Sequence, residues 1–268
     1  MEALVKAPRQ SPRRRVSRIA LGVWIPLAMI GTWVLVSRHQ ACSYACVSPS
    51  TLGRGFVEVI ATGELPSALA GTFEKTLLAL CLGAPAGLLV GGALGASRMI
   101  DRAIGPLFHA FRQVPFLGLA PLMALWFGTG RLAQVILTVL AVVYPVVLST
   151  YEGIRAIDPK YLEVARVMKL GNDQILAAVT VPAVAPYVYA GVSHAIPFAW
   201  IATVGGELLL PSGVGIGTMM ATSEAGGRLD LVLVCTLTVA AASLCVDRAL
   251  VRVGRRMMLW RDDASNRL

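Results

Sequence analysis

Residues 158–182 read DPKYLEVARVMKLGNDQILAAVTVP. Strongly apolar sequence flanks this charged segment on both sides. Asp158-Pro159 is a helix start, because Asp accepts from free N–H groups and Pro suits the first helical position. Tyr161, Val164, Ala165 and Met168 then recur at spacings of three and four and share one stripe. Lys160, Glu163, Arg166 and Lys169 take the neighbouring face. Gly171 suits the left-handed conformation that ends a helix, and Asn172 suits the cap of a second helix over 173–181. Pro182 marks the return to apolar sequence. The spacing therefore predicts a helix–turn–helix. Two readings fit it: an amphipathic loop resting on lipid headgroups, and a handle gripped by another protein.

The rest of the chain supplies the setting. Of 268 residues, 56% are hydrophobic and 15% charged, and the mean hydropathy is +0.69. A soluble domain of this size needs more surface charge. The apolar residues gather in runs near the ~18–20 that span a bilayer as helix, so the chain reads as an all-α polytopic membrane protein. The net charge of +9 is not a nucleic-acid signal. Arg9, Arg13, Arg14, Arg15 and Arg18 precede the first apolar run, and Arg248, Arg252, Arg255, Arg256 and Arg261 follow the last. That is the positive-inside pattern, and it places both termini in the cytoplasm with an even number of spans between them.

Six transmembrane helices are expected. A basic cytoplasmic tail (1–18) precedes the first, 19–36, for which a cleaved signal peptide is the rival reading. An external connection, 37–72, carries turn residues and a short surface helix near Phe56–Ile60. The second span, 76–97, is rich in Gly and Ala, which lets helix backbones approach closely in lipid. Arg98, Asp101, Arg102 and Arg112 mark a cytoplasmic connection. The third span, 115–127, is short and contains Pro121; the fourth is 132–150. After the polar handle come the fifth span, 183–204, a Gly-rich external loop at 211–217, the sixth span, 231–250, and a cytoplasmic tail (256–268). External segments carry few basic residues: Arg38, Arg54, Arg131 and Arg228. Pro85, Pro121, Pro145 and Pro197 permit bending or shape packing.

Site chemistry is sparse. The three histidines, His39, His109 and His194, are scattered, and the five cysteines form no ligand constellation. Cys42 and Cys46 lie four residues apart in the external segment, where a disulfide and two free thiols are both open readings. His194 is read as the only titratable side chain well inside a span, which marks either a pathway or an interhelical hydrogen bond. Glu207 falls near the outer mouth of the fifth span, as a gate, a contact for an external protein, or a headgroup-level residue. Trp126 and Trp200 read as interfacial or packing aromatics.

The segment VARVMKLG, with Glu163, Ala165 and Pro182 in ungapped register, resembles the coupling loop of permease subunits in ATP-binding-cassette importers. The family's usual glycine position holds Lys169, with Gly171 two places on. RQVPFLGLAPLMALWFGTG (112–130), FAWIATVGGELL (198–209) and GVGIG (213–217) are similar to the nitrate, sulfonate, taurine and bicarbonate group. Many relatives carry an arginine where this chain has Gly71, and another where it has Ser193; Lys75 and His194 lie nearby but are not equivalent.

The resemblance covers most of residues 65–260 and implies a type I importer permease fold. It also implies a division of labour. Two copies of the chain form the pathway, two cytoplasmic ATP-binding subunits hold ATP and Mg2+, and a periplasmic or extracellular substrate-binding protein delivers a small solute. Tyr161, Glu163, Val164, Ala165, Met168, Gly171 and Pro182 would then couple to the ATPase. No GxxxxGK[ST] loop occurs in the sequence, as suits a non-hydrolysing partner. A secondary transporter is the main alternative and needs no such handle; an intramembrane enzyme would need a ligand cluster or nucleophile–base pair.

Overall fold

The computed structural model describes residues 47–257, together with 24, 27–29 and 31–35. These upstream positions are helical, but half of the expected first span, and both Cys42 and Cys46, lie outside the described residues. The helices are α1 (Pro49–Ala61), α2 (Glu64–Ala96), α3 (Arg98–Phe111), α4 (Ala120–Phe127), α5 (Arg131–Arg155) and α6 (Pro159–Val167). There follow α7 (Asn172–Leu209), α8 (Ile216–Ala225) and α9 (Leu229–Met257). Contacts divide the chain after Val57, and the unit from Glu58 onward carries the elements discussed below.

Among the described residues, α2, α5, α7 and the Leu229–Leu250 part of α9 are each long and apolar enough to cross a membrane. The segments 98–111 and 116–127 are together long and apolar enough for a fifth, and they are bent by 88° at the break between them. α2 begins well before the expected Thr76. Its first turns hold Thr72, Lys75 and Thr76, which lower the hydropathy but are buried and find partners within the protein. α8 follows directly on the Gly-rich loop expected at 211–217; its Thr- and Ser-containing sequence, IGTMMATSEA, shows no clear apolar period.

α5 lies between α2 and α7, and small residues set both seams. Gly83, Gly87, Gly91 and Gly95 recur every fourth residue along α2. A Cβ at Gly83 would come within 2.7 Å of Val142, at Gly87 within 2.8 Å of Val146, and at Gly95 within 2.9 Å of Ile154. Gly153 of α5 and Gly191 of α7 do the same against Tyr187 and Ser149. With no hydrophobic drive between helices in lipid, this close approach supplies the association energy. Gly87→Ala is therefore expected to cost about 1–3 kcal/mol by overpacking. Gly92→Ala, with open space around the new methyl, should be neutral or gain up to about 1 kcal/mol from helix propensity. Thermal unfolding of the two purified variants distinguishes the seam from its open neighbour.

α3 is capped by Ser97, whose Oγ accepts from the Ile100 N–H, and it runs along α5. Asp101 pairs with Arg155, His109 meets Tyr151 edge-on at 6.4 Å, and Phe108 stacks on Tyr144 at 5.9 Å. Arg112 sits over the same Tyr144 ring, 5.7 Å from its centre. Arg112 is thus placed beside the middle of α5 rather than in a loop at its end, correcting the expected cytoplasmic connection at this residue. α3 carries it there because the chain bends only after Phe111.

At the opposite end of the bundle, Arg228 binds Glu58 at 2.8 Å and Asp230 at 2.9 Å. The Arg228 hydrogen bond and charge hold the Glu58 carboxyl below its ordinary value. Hydrogen bonds to Asp230 and Glu58 push the guanidinium further up. A lowered carboxyl pKa stabilises the fold above the ordinary carboxylate range and loses that contribution as pH falls through the lowered value.

Candidate functional site

Two polar features stand at opposite ends of the helical body. The first is the handle at the basic end, near Arg98, Arg102 and Arg155. Asp158 caps α6 as its sequence demands, its Oδ1 accepting from the Lys160 N–H at 3.0 Å. On α6 the outward apolar set is Tyr161 (65% exposed), Val164 (58%), Val167 (83%) and Met168 (66%). Val167 was not anticipated. Ala165, expected on that stripe, is only 3% exposed and faces inward. Glu163 is exposed.

The turn after α6 also differs from expectation. Lys169, not Gly171, takes the left-handed conformation, with φ 54°. Gly171 is extended, at φ −68° and ψ 160°, and precedes α7, where its N–H donates to Gln174 Oε1 at 2.9 Å. The left-handed residue thus occupies the position where the resembling family has glycine. Lys169→Gly should relieve about 1 kcal/mol of local strain and slow amide exchange across α6 roughly fivefold, read by hydrogen–deuterium exchange.

The second expected helix is not a separate piece. From Asn172 it passes through a π-helical turn, Leu176–Thr180, straight into the long membrane helix. Pro182 lies in the first turn after the π segment, where its missing N–H is tolerated. The handle is thereby joined through one turn to a helix that runs to Leu209 at the opposite end.

The second feature is a buried network at that opposite end. Glu207 of α7 is fully buried. Lys75 Nζ donates to its Oε1 at 2.8 Å and to Gln134 Oε1 of α5 at 2.9 Å. Thr72 Oγ1 donates to the same carboxylate, and the Gly217 N–H donates to Oε2 at 2.8 Å. Thr72 Oγ1 in turn accepts from the Ile216 N–H at 2.8 Å. Gln134 Nε2 donates to Leu210 O at 2.7 Å and to Ser212 Oγ at 3.2 Å. α2, α5, α7, the 210–215 loop and the start of α8 all meet here. The Glu207 carboxylate is thus enclosed within the chain, and its charge is balanced by Lys75.

The glycines of GVGIG have a steric reason. A Cβ at Gly215 or Gly217 would run into the Glu207 side chain. Gly71 has one too: a Cβ there would come within 2.5 Å of the Val214 carbonyl oxygen. The arginine that many relatives place at this position would not fit this loop, and the buried cation of this chain stands one helical turn on, at Lys75.

His194 is exposed on α7, and its imidazole makes no hydrogen bond to any described residue. Nor is it alone inside the body, since Lys75, Glu207 and Arg112 all lie along spanning segments. Trp126 is exposed, whereas Trp200 is buried 6.4 Å from the Phe73 ring. No group of three His, Cys, Asp or Glu able to hold a metal occurs among the described residues.

Known proteins share this architecture. The chain is 29% identical over 258 residues to the "Putative aliphatic sulfonates transport permease protein SsuC" of Bacillus subtilis, covering 96% of this chain and 93% of that one. It is 30% identical over 187 residues to the nitrate import permease protein NrtB of Synechococcus elongatus, covering 69% and 67%. The fold superposes on a crystal structure of an amino acid ABC transporter with a TM-score of 0.62 at 17% identity, covering 75% of this chain and 97% of that one. Residues 83–259 match the family described as binding-protein-dependent transport system inner membrane component. The chain belongs to that family, as a multi-pass permease subunit of an ATP-binding-cassette importer.

Proposed function

We propose that this chain forms half of the translocation pathway of a bacterial inner-membrane importer for a small anionic solute, sulfonate- or nitrate-like as in its relatives' names. Two copies pair. Two ATP-binding subunits on the cytoplasmic side bind ATP and Mg2+ and carry out hydrolysis, and an external binding protein delivers the solute. Both termini are cytoplasmic. The observation that carries this reading is the handle: a short helix with Tyr161, Val164, Val167 and Met168 exposed, set among Lys160, Arg166 and Lys169, and joined by a short turn to a membrane helix. An apolar cluster on so polar a support is poorly solvated, and a groove on a soluble subunit would bury it.

Closure of the ATPase pair would displace α6, and α7 would carry that displacement across the membrane as a rigid body. The Lys75–Glu207 network, which ties α7 to α2, α5 and the 210–215 loop, would make the outer end move with it. Tyr161, Glu163, Val164, Met168, Gly171 and Pro182 are assigned to coupling by contact or by shaping the handle, and Ala165 by packing the handle onto its own chain.

The test is co-expression with a cognate ATPase and binding protein, followed by purification and ATP-dependent solute uptake in proteoliposomes. Stable co-purification with uptake that requires ATP is expected. Solute movement by this chain alone, without an ATPase, would instead favour a secondary transporter.

A further inference from the structure

Arg112 raises a separate question. Tyr144, over which it lies, is roughly 20 Å from the start of α5 and roughly 16 Å from its end at ~1.5 Å per residue. The guanidinium is therefore near the middle of a bilayer-length helix. It makes no ion pair or hydrogen bond with any described side chain, and its one described partner is the Tyr144 ring. A charge at this depth is costly unless it lines an aqueous path or meets a counter-charge.

The surroundings are aromatic and partly open: Arg112, Phe111 and Phe198 are exposed in the single chain. Arg112 lines a cavity of about 300 Å³ at the bend between α3 and α4. Phe108, Phe111, Phe116 and Phe198 form its walls with Tyr144. Gln113 adds an amide, and no acidic side chain is among the lining residues. Phe116 and Phe198 meet edge-on at 6.5 Å, which joins the bend to α7. The volume is at the small end of ligand sites and corresponds to roughly ten waters.

We propose that Arg112 and this aromatic cavity form a binding site for an organic monoanion, with an oxyanion head on the guanidinium and a compact apolar body against the phenylalanines. The proposal rests on the importer reading for its place in a pathway. A guanidinium offers two parallel donors, and two oxygens of a carboxylate or sulfonate head can accept both. The aromatic walls reward an apolar body by taking it out of water. Nitrate and bicarbonate carry the charge but no such body, and would leave the walls wet or empty. The site thus discriminates among the solute classes suggested by the relatives, and it does so from within the membrane chain.

The purified full-length chain, in nanodiscs of zwitterionic lipid with and without its ATPase, should be titrated calorimetrically with sodium benzenesulfonate. Sodium nitrate and the neutral isostere benzenesulfonamide serve as controls. Benzenesulfonate is expected to bind at least tenfold tighter than either control. Arg112→Gln should weaken it at least tenfold, with Arg112→Lys losing less. Phe198→Ala, which trims a wall and leaves the charge, should weaken it roughly threefold or more. Nitrate binding as tight as benzenesulfonate, no benzenesulfonate binding, or an unchanged affinity in Arg112→Gln would overturn the site. The wild-type comparison among the three probes decides the matter even where a variant fails to fold. Association with the ATPase, scored in the same preparations, is independent. Its presence without benzenesulfonate binding removes the site and keeps the importer; its absence with binding does the reverse.

Discussion

Glu207→Ala is expected to lower the stability of the purified chain by roughly 3–5 kcal/mol, the usual result of removing one partner of a buried ion pair. Lys75 is almost fully buried, and its ammonium would keep only the Gln134 oxygen. The Gly217 N–H would lose its partner, and the Thr72 hydroxyl would lose the carboxylate to which it donates. In a thermal-shift measurement this corresponds to a fall of about 6–20 °C. The pair Lys75→Met with Glu207→Gln removes both charges together and leaves an amide oxygen for the Gly217 N–H. It should recover more than half of the loss, because the penalty is chiefly that of an orphaned charge. A small effect of Glu207→Ala, or no recovery in the double variant, would show that the network does not hold the outer end together.

The second large effect is at the handle. Val164→Asp combined with Met168→Asp should reduce ATP-driven uptake at least tenfold while leaving membrane insertion and thermal stability within about 1 kcal/mol of the parent. Both side chains are exposed, so the substitutions bury no charge within the chain. Each removes an apolar anchor worth about 1.5–3 kcal/mol when covered by a partner. Ala165→Asp is a poorer probe than the sequence suggests, because its carboxylate would be buried in the chain itself. Glu163→Ala, an exposed change, should give a smaller version of the same defect. Normal uptake by the double variant would place coupling elsewhere.

What could be read from the chain, and what could not, follows from the range of the interactions. Spans announce themselves by hydropathy, and the glycines of α2 announce a tight seam, because each signal lies within a few turns of helix. The Asp158-Pro159 cap is equally local. Lys75 and Glu207 are 132 positions apart, and nothing in either neighbourhood shows that they neutralise one another. The available hint was a run of Thr72, Lys75 and Thr76 on one face of an otherwise apolar helix. The same run delayed the apparent start of α2 by three turns. Gly171 misled because glycine is the usual left-handed residue, while Lys169 takes that conformation at modest cost on an exposed turn. Arg112 looked like a loop charge because charge normally marks a span's end. The bend that carries it to mid-depth depends on α3 packing along Tyr151 and Tyr144, which is tertiary information.

The most direct test of the handle is side-specific labelling of Val167→Cys, at the most exposed apolar position of α6, in a chain whose native cysteines are replaced. The account predicts modification by a membrane-impermeant thiol reagent only from the cytoplasmic face, and protection when the ATPase is co-assembled. Labelling from outside the cell, or equal labelling with and without the ATPase, would contradict it.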